Sequence, residues 1–410
     1  KLEQQLAKLA DSDKAKRHEV QQKTDAARAE VQKLEASLPA PRPAVLAVEE
    51  GSAAAYNTAP RNLYVQVRGN YTTPGVEAPA IFPRVLAGED QKPFVGTAPN
   101  PADKPQANTI RYGAIRAGSG RLEFANWLTD PRHPLTARVM VNRVWQHHFG
   151  EGLVRSPDNF GRLGERPTHP ELLDWLASAF VRAGWSLKAL HKLILLSSTY
   201  QMSTRHNDEA ARIDPDNRLL WRFNRRRLEA EAIRDSVLAV AGTLDRAAGG
   251  SLLGNGNFEY VTNDQSKSST RYDAPRRSIY LPVIRNNVFD FFAAFDFVEP
   301  HVSNGKRATT VIPSQALYLL NNPFVVAQAK AFADSLLAEE GDDAARVGSA
   351  FRRAFARPAT AAEVSRAASF VQQYEAALAG REPDAAARRA RAWAAWCQVL
   401  FASSEFVYVD

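Results

Sequence analysis

Residues 170–183 read PELLDWLASAFVRA, and this stretch decides the fold class. Apolar side chains recur there every three or four positions, which places them on one side of a helix. Pro170 suits the first helical turn, where its missing N–H breaks no bond, and Gly184 suits the position just after a helix. The stretch therefore predicts an amphipathic helix whose apolar side packs against a core.

Helical patterns continue on both sides of this stretch, and strand-like patterns are few and short. β-branched and aromatic residues between turn formers predict strands at residues 62–68 and 277–285. The fold class predicted is mainly α, a multi-helix domain with small β additions. Its further helices are predicted at residues 122–128, 135–149 and 187–198, from Leu219 into 228–244, and from 314 to the end.

The first 38 residues contain no Gly or Pro and are rich in Ala, Glu, Gln and Lys. Their apolar residues follow an approximate three-and-four spacing, which is typical of a coiled coil or a helical hairpin. We expect an N-terminal long helix or coiled-coil arm that ends before Pro39. Such an arm is either a spacer or packing helix, or a surface for dimerisation or for docking a partner.

Composition shifts divide the chain into four predicted parts. Residues 1–38 form the arm, and residues 39–112 form a linker with a small β element. Residues 113–340 form the main helical domain, with a loop insertion at about 251–275 where the sequence is polar and rich in Gly and Ser. Residues 341–410 form C-terminal helices packed on the main domain.

Charge and cysteine content exclude several classes of protein. The net charge is only +7, from 52 Lys and Arg against 45 Asp and Glu, and acids are interleaved with the arginines, so no nucleic-acid surface is predicted. The single cysteine, Cys397, excludes an intrachain disulfide, a haem-attachment CxxCH and a Cys-rich zinc site. No metal site and no membrane span are predicted, and no common catalytic motif occurs.

The candidate binding residues begin in the helix predicted at 135–149. Arg143 and His147 lie four residues apart and so share a face, where planar hydrogen-bonding groups suit an anion or a sugar hydroxyl. His169 precedes Pro170 at a predicted helix N-terminus. The alternative for each histidine is an ordinary packing or capping role.

Two further groups combine arginine with a carboxylate. Residues 222–228, RFNRRRL, are the densest basic cluster, and helical spacing would make Arg227 and Glu231 neighbours. Asp296 lies in a phenylalanine-rich stretch, where burial raises a carboxyl pKa unless an arginine pairs with it, and Arg307 is the expected partner. Either group is an ion-pair network between packed elements or a clamp for an anion.

Several long strings resemble a known family. They include DPRHPLTARVMVNRVWQHHFGEG at 130–152, the segment at 214–242, RATTVIPSQALYLLNNPF at 307–324 and SSEFVYVD at 403–410. The chain resembles the C-terminal domain of unknown function of planctomycete cytochrome-c-associated proteins. The resemblance implies an extracytoplasmic protein of the periplasm or cell envelope, of which this chain is a C-terminal part. It implies no cofactor in this chain, with a c-type haem only in upstream domains.

Three functions stay open at this point. The first is a binding or scaffold module that positions a carbohydrate or a partner protein near the haem-containing domain. The second is an enzyme acting on a polysaccharide or sulfated glycan through histidine and carboxylate acid–base groups. The third is a purely structural assembly domain.

Overall fold

The computed structural model describes residues 14–37, 63–79, 81–88, 120–250, 252, 272–285 and 287–409. Most of the predicted loop insertion at 251–275 and part of the predicted linker lie outside these residues. The described chain is mainly helical with small two-stranded sheets, as predicted. It divides into two compact units, Lys1–Phe124 and Ala125–Asp410.

The first unit contains a long helix and a small sheet. Helix α1 spans Lys14–Ser37, while residues 1–13 lie outside the described part, so a coiled-coil arm stays a prediction. Strands β1 (Leu63–Gln66) and β2 (Pro74–Ala78) pair antiparallel, joined through a short 3₁₀ turn. Helix α2 spans Arg84–Ala87, and the division between the two units falls within α3, which spans Arg121–Leu128.

The second unit contains two apolar cores. The smaller, which we call the N-terminal core, is built by α4 (Thr136–Phe149), α5 (Pro170–Arg182) and α6 (Leu187–Leu195). The predicted apolar side of α5 is buried, with Leu176 2% and Phe180 3% exposed. Helix α7 (Asp208–Ile213) follows in the chain. The buried members of this core are Ala137, Val141, Val144, Trp145, Phe149, Leu153, Val154, Leu173, Leu176, Ala177, Phe180, Leu190, Ile194 and Phe223.

The larger core, which we call the C-terminal core, takes its residues from positions 230–406. Cys397 is fully buried in it beside Trp393, and burial raises the pKa of its thiol, as suits a packing residue rather than a nucleophile. The elements of this core are α8 (Ala230–Ala241), α9 (Asp290–Ala294), α10 (Pro313–Asn321), α11 (Pro323–Leu337), α12 (Asp343–Phe355), α13 (Ala361–Leu378), α14 (Ala385–Phe401) and α15 (Ser404–Val407).

A sheet of two strands, each two residues long, joins the middle of the unit to its C-terminal end. Strand β3 (Arg226–Arg227) pairs antiparallel with β4 (Tyr408–Val409), and Leu228 N–H donates to the Val407 carbonyl at 2.7 Å. The C-terminal residues 407–409 therefore fix the backbone of the basic cluster at 222–228.

The helix predicted from Leu219 is wrong upstream of Ala230. Asp214 accepts the backbone N–H groups of Arg218 and Leu219, at 2.9 and 2.7 Å, and Asn217 bonds both backbone groups of Arg222. Side chains that bond nearby backbone compete with helix formation. The basic cluster is consequently a turn followed by a strand.

The strand predicted at 277–285 is also wrong. Residues Ser278–Tyr280 form a 3₁₀ helix because the Asp235 carboxylate accepts both the backbone N–H and the hydroxyl of Ser278, at 2.8 and 2.7 Å. The only strand-type pairing near this stretch among the described residues is one bridge between Asp245 and Arg276. The stretch is held by side-chain bonds to α8 instead of by a sheet.

Candidate functional site

Helix α4 presents two cationic or polar side chains on one exposed face. Arg143 and His147 are both exposed and lie four residues apart, as predicted. The adjacent His148 points to the other side, where its Nε2 lies 2.7 Å from Nδ1 of the half-buried His191. Burial, with help from the neighbouring His191 and Arg226, lowers the pKa of His148. The side chains of His147 and His148 thus lie in different surroundings, the first exposed and the second beside His191.

The C-terminal end of α4 is held by Arg226. Its guanidinium donates to the His147 carbonyl at 2.7 Å, which is favourable because helix C-termini carry partial negative charge. Gly150 ends the helix with a φ of +83°, and a Cβ there would lie 2.9 Å from the Arg226 side chain. The glycine therefore allows β3 to approach α4 closely.

Arg227 lies at the centre of a polar network. Its guanidinium donates to the Asp296 carboxylate at 2.5 Å, to the Gln315 side chain at 3.1 Å and to the Thr310 carbonyl. The Arg227 side chain is 5% exposed and that of Asp296 is 15% exposed. The pair fastens β3 to the N-terminal end of α10.

Asp296 is a fully engaged carboxylate on a strained backbone. It accepts the Thr310 backbone N–H and hydroxyl, both at 2.8 Å, in addition to Arg227. Its φ is +59°, a left-handed conformation that costs free energy for a residue with a side chain. Burial raises the pKa of Asp296, but the bonds from Thr310 and Arg227 outweigh it and leave that pKa below its usual value. The network thus holds Asp296 charged.

The lowered pKa of Asp296 predicts a loss of stability in acid. A carboxyl with a depressed folded-state pKa contributes stability above its unfolded pKa of about 3.9, and this is lost as the pH falls through the folded value. The difference in unfolding free energy between the protein and Asp296→Asn should therefore shrink from pH 7 to pH 3. Urea unfolding at both pH values measures it, and a constant difference would contradict the assignment.

Arg307 pairs with α8, not with Asp296. Its guanidinium makes a bidentate pair with Glu231, at 2.6 and 2.9 Å, and lies 3.2 Å from Glu229. It also stacks over the Phe297 ring at 5.2 Å. The expected Asp296–Arg307 pair and the expected Arg227–Glu231 neighbours are both wrong, because β3 is not helical and turns Arg227 toward Asp296.

The loop before Arg307 connects the two sides of the unit. Gln146 on α4 donates to the Gly305 carbonyl at 3.0 Å, and Asp158 accepts the Gly305 N–H at 2.7 Å. A Cβ at Gly305 would lie 2.1 Å from the Asp158 carboxylate, so a larger residue would force the Asp158 side chain to move. Lys306 pairs with Glu151 just after α4. The loop is therefore tied to the N-terminal core.

These elements enclose a cleft of about 950 Å³, which we call the basic cleft. Six cationic side chains and three carboxylates line it, an excess of three positive charges with His147 counted as neutral. Such an excess attracts anions. The charged and imidazole side chains of the wall are Arg143, His147, Glu151, Arg225, Arg226, Arg227, Glu229, Asp296, Lys306 and Arg307.

The structure brings five of the seven candidate residues to this cleft: Arg143, His147, Arg227, Asp296 and Arg307. Glu231 is not part of the wall and supports it through Arg307. His169 lies elsewhere, at the start of α5, where its Nδ1 is 3.0 Å from the Thr168 hydroxyl.

Sequence reasoning missed three cationic residues of the wall. Arg225 and Arg226 belong to the basic cluster, but the cluster's strand conformation was not predicted, so their direction could not be inferred. Lys306 lies in a loop without periodicity and carried no signal. The cleft forms from segments distant in sequence, which no local motif records.

The described residues contain neither a metal-binding cluster nor a membrane-spanning helix. No group of three or more His, Cys, Asp and Glu side chains there is placed to hold a metal ion. Of the helices that the structure describes, none is both long and apolar enough to cross a membrane.

Comparison with known proteins gives one match. The family model described as PSD1, a protein of unknown function (DUF1553), matches residues 120–371. This range includes α4, the basic cluster and most of the cleft wall. No curated protein and no solved structure matches the chain.

Proposed function

The chain belongs to the PSD1 family of proteins of unknown function (DUF1553), and on this premise we propose that it is a binding module whose basic cleft holds an acidic carbohydrate. The carboxylate or sulfate groups of the sugar would meet the arginines, and its hydroxyls would meet the amide and imidazole groups of the wall.

One observation carries this proposal: Arg143 and His147 face the cleft without a partner. Within the described residues, no side chain or carbonyl hydrogen-bonds or ion-pairs with the Arg143 guanidinium or the His147 ring, and both side chains are exposed. Arg226, Arg227, Lys306 and Arg307 are each bonded to protein. The wall thus has a fixed cationic frame around two side chains that are available to a ligand.

The chemistry of these two side chains favours an acidic sugar. A guanidinium forms paired, charge-assisted bonds with a carboxylate or a sulfate. An imidazole offers one donor and one acceptor, which match a hydroxyl. Gln146 and Asn304 add amide groups to the same wall, in which Phe149 and Phe295 are buried and Tyr408 is half-buried. The wall is polar and carries excess positive charge, which suits a polar, anionic ligand.

The arrangement supports an enzyme less well. Acid–base catalysis needs a carboxylate or histidine that can exchange a proton with the substrate. Asp296 already accepts bonds from Arg227 and Thr310, Glu151 is paired with Lys306, and Glu229 lies 3.2 Å from Arg307. The unpartnered His147 therefore has no unpaired carboxylate of the wall to act with it. The pairing of these carboxylates makes binding the better-supported role of the cleft.

The proposal places this module in a large extracytoplasmic protein of the cell envelope. Its support is the resemblance of residues 130–152, 214–242 and 307–324 to the domain that follows a c-type haem portion. Covalent c-type haem needs two cysteines and Cys397 is single and buried, so under this proposal a haem would be carried by another domain. The module would hold its carbohydrate near that redox domain.

Arg143→Ala is expected to weaken binding of digalacturonate by about 10- to 100-fold, since a bond to a charged group contributes about 1.5–3 kcal/mol. Titration of the protein and the variant measures the change. Arg366→Ala is the matched control, because Arg366 is an exposed arginine of α13 outside the cleft wall.

The methyl ester of digalacturonate tests the role of charge on the same sugar. It should bind at least about tenfold more weakly than the free acid. Equal affinities for the acid and the ester, or equal losses in Arg143→Ala and Arg366→Ala, would refute the proposed function.

A further inference from the structure

A second cavity adjoins the basic cleft. Its volume is about 370 Å³, and it is lined by Thr204, Arg205, His206, Arg222 and the residues 223–225. We call it the side pocket. Its three arginines and one histidine face no carboxylate in its own wall, so it too attracts anions.

The side pocket and the basic cleft share part of their walls. Asn224 and Arg225 line both cavities. The Asn224 side chain is held in place because its oxygen accepts from Asn217 at 2.9 Å, and the Phe223 N–H donates to the Ser203 carbonyl at 3.1 Å. The boundary between the two cavities is therefore a fixed segment that carries an exposed arginine.

Two cations of the side pocket, Arg205 and Arg222, are available to a ligand, whereas the His206 ring lies 3.2 Å from the Asp208 carboxylate. Arg222 stacks over the Trp221 ring at 4.7 Å, and its only other side-chain contact among the described residues is His206, at 3.5 Å. The exposed Arg205 side chain has no hydrogen-bond or ion-pair partner in the described part of the chain. Stacking orients Arg222 without neutralising it.

From this shared wall we infer that the basic cleft and the side pocket form one groove that binds an acidic oligosaccharide of several sugar units. The inference rests on the proposed function and deepens it, from a single acidic sugar to a chain. One acidic group would meet Arg143 and His147, a second would pass Arg225, and a third would meet Arg205 and Arg222.

The aromatic residues of the two cavities argue against a nucleic acid. Single-stranded nucleic acids are held by bases stacked on exposed aromatic rings. Of the aromatic side chains that line the two cavities, Phe149, Phe223 and Phe295 are at most 9% exposed and Tyr408 is half-buried. The ring of the nearby Trp221 is covered by Arg222. A sugar chain needs no such stacking surface, because charged groups and hydroxyls can supply its contacts.

The test compares digalacturonate with hexagalacturonate on the full chain. The hexamer should bind at least about tenfold more tightly, since it adds bonds between its carboxylates and charged side chains. In Arg205→Ala the ratio of hexamer to dimer affinity should fall about tenfold, while Arg366→Ala should keep the wild-type ratio. The Arg205 side chain is exposed and bonds to none of the described residues, so its removal does not endanger folding.

Three results would overturn the groove. These are equal affinities for dimer and hexamer, an unchanged ratio in Arg205→Ala, and binding of a charge-matched single-stranded oligonucleotide as tight as that of the hexamer. If these results occur while dimer binding depends on Arg143, only the inference of a continuous groove is refuted. If dimer binding does not depend on Arg143, the proposed function fails with it.

Discussion

Replacing Arg227 with alanine is expected to lower the free energy of unfolding by about 3–5 kcal/mol, the cost of removing one partner of a buried ion pair. Arg227 and Asp296 are almost fully buried, and the substitution leaves the Asp296 carboxylate without its cation. It also removes donors from the Thr310 carbonyl and the Gln315 side chain. The strained backbone at Asp296 would then lose the contact that holds it.

Urea unfolding at neutral pH measures this loss. A double-mutant cycle with Asp296→Ala isolates the pair, and we expect the double variant to be more stable than the sum of the single losses implies. Arg143→Ala is the matched control and should change stability by less than about 0.5 kcal/mol, because Arg143 is exposed. An Arg227→Ala protein within about 1 kcal/mol of the original would show that the network contributes little.

Asn142→Ala is the second large effect, with an expected loss of about 2–4 kcal/mol. Asn142 is fully buried, and its side chain donates to the Val154 carbonyl at 2.9 Å and accepts the Val154 N–H at 2.8 Å. Alanine would leave both groups of Val154 buried and unpaired, at about 1–3 kcal/mol each. The same contact holds the segment that carries Glu151, so the cleft wall would loosen as well.

The control for Asn142 is Asn126→Ala, which removes an exposed asparagine of α3. Thermal unfolding should show a clear fall in Tm for Asn142→Ala and almost none for Asn126→Ala. Hydrogen exchange should be faster at the Val154 amide in the first variant alone. Similar melting of the two variants would mean that water replaces the lost bonds.

The helices were predictable because their signal is local. The apolar side of α5 and the shared face of Arg143 and His147 follow from spacing within one helix. Gly150 and Gly184 mark helix ends by their position after an apolar pattern. Such features need no knowledge of the rest of the chain.

The partners of the cleft residues were not predictable, since they come from distant segments. Arg227 and Asp296 are 69 residues apart, and Gln146 and Gly305 are 159 apart. The unexpected turn at 214–225 depends on the side chains of Asp214 and Asn217, which also suit helix caps or solvent. Residue types alone could therefore list the candidates but could not pair them.

The measurement that tests the central claim most directly is a crystal structure of the protein with digalacturonate, at a concentration that saturates binding. The account predicts the sugar in the basic cleft, with a carboxylate bonded to the Arg143 guanidinium and a hydroxyl bonded to His147. The Arg227–Asp296 and Arg307–Glu231 pairs should stay as they are in the free protein. A sugar bound elsewhere, with the cleft empty, would contradict the account.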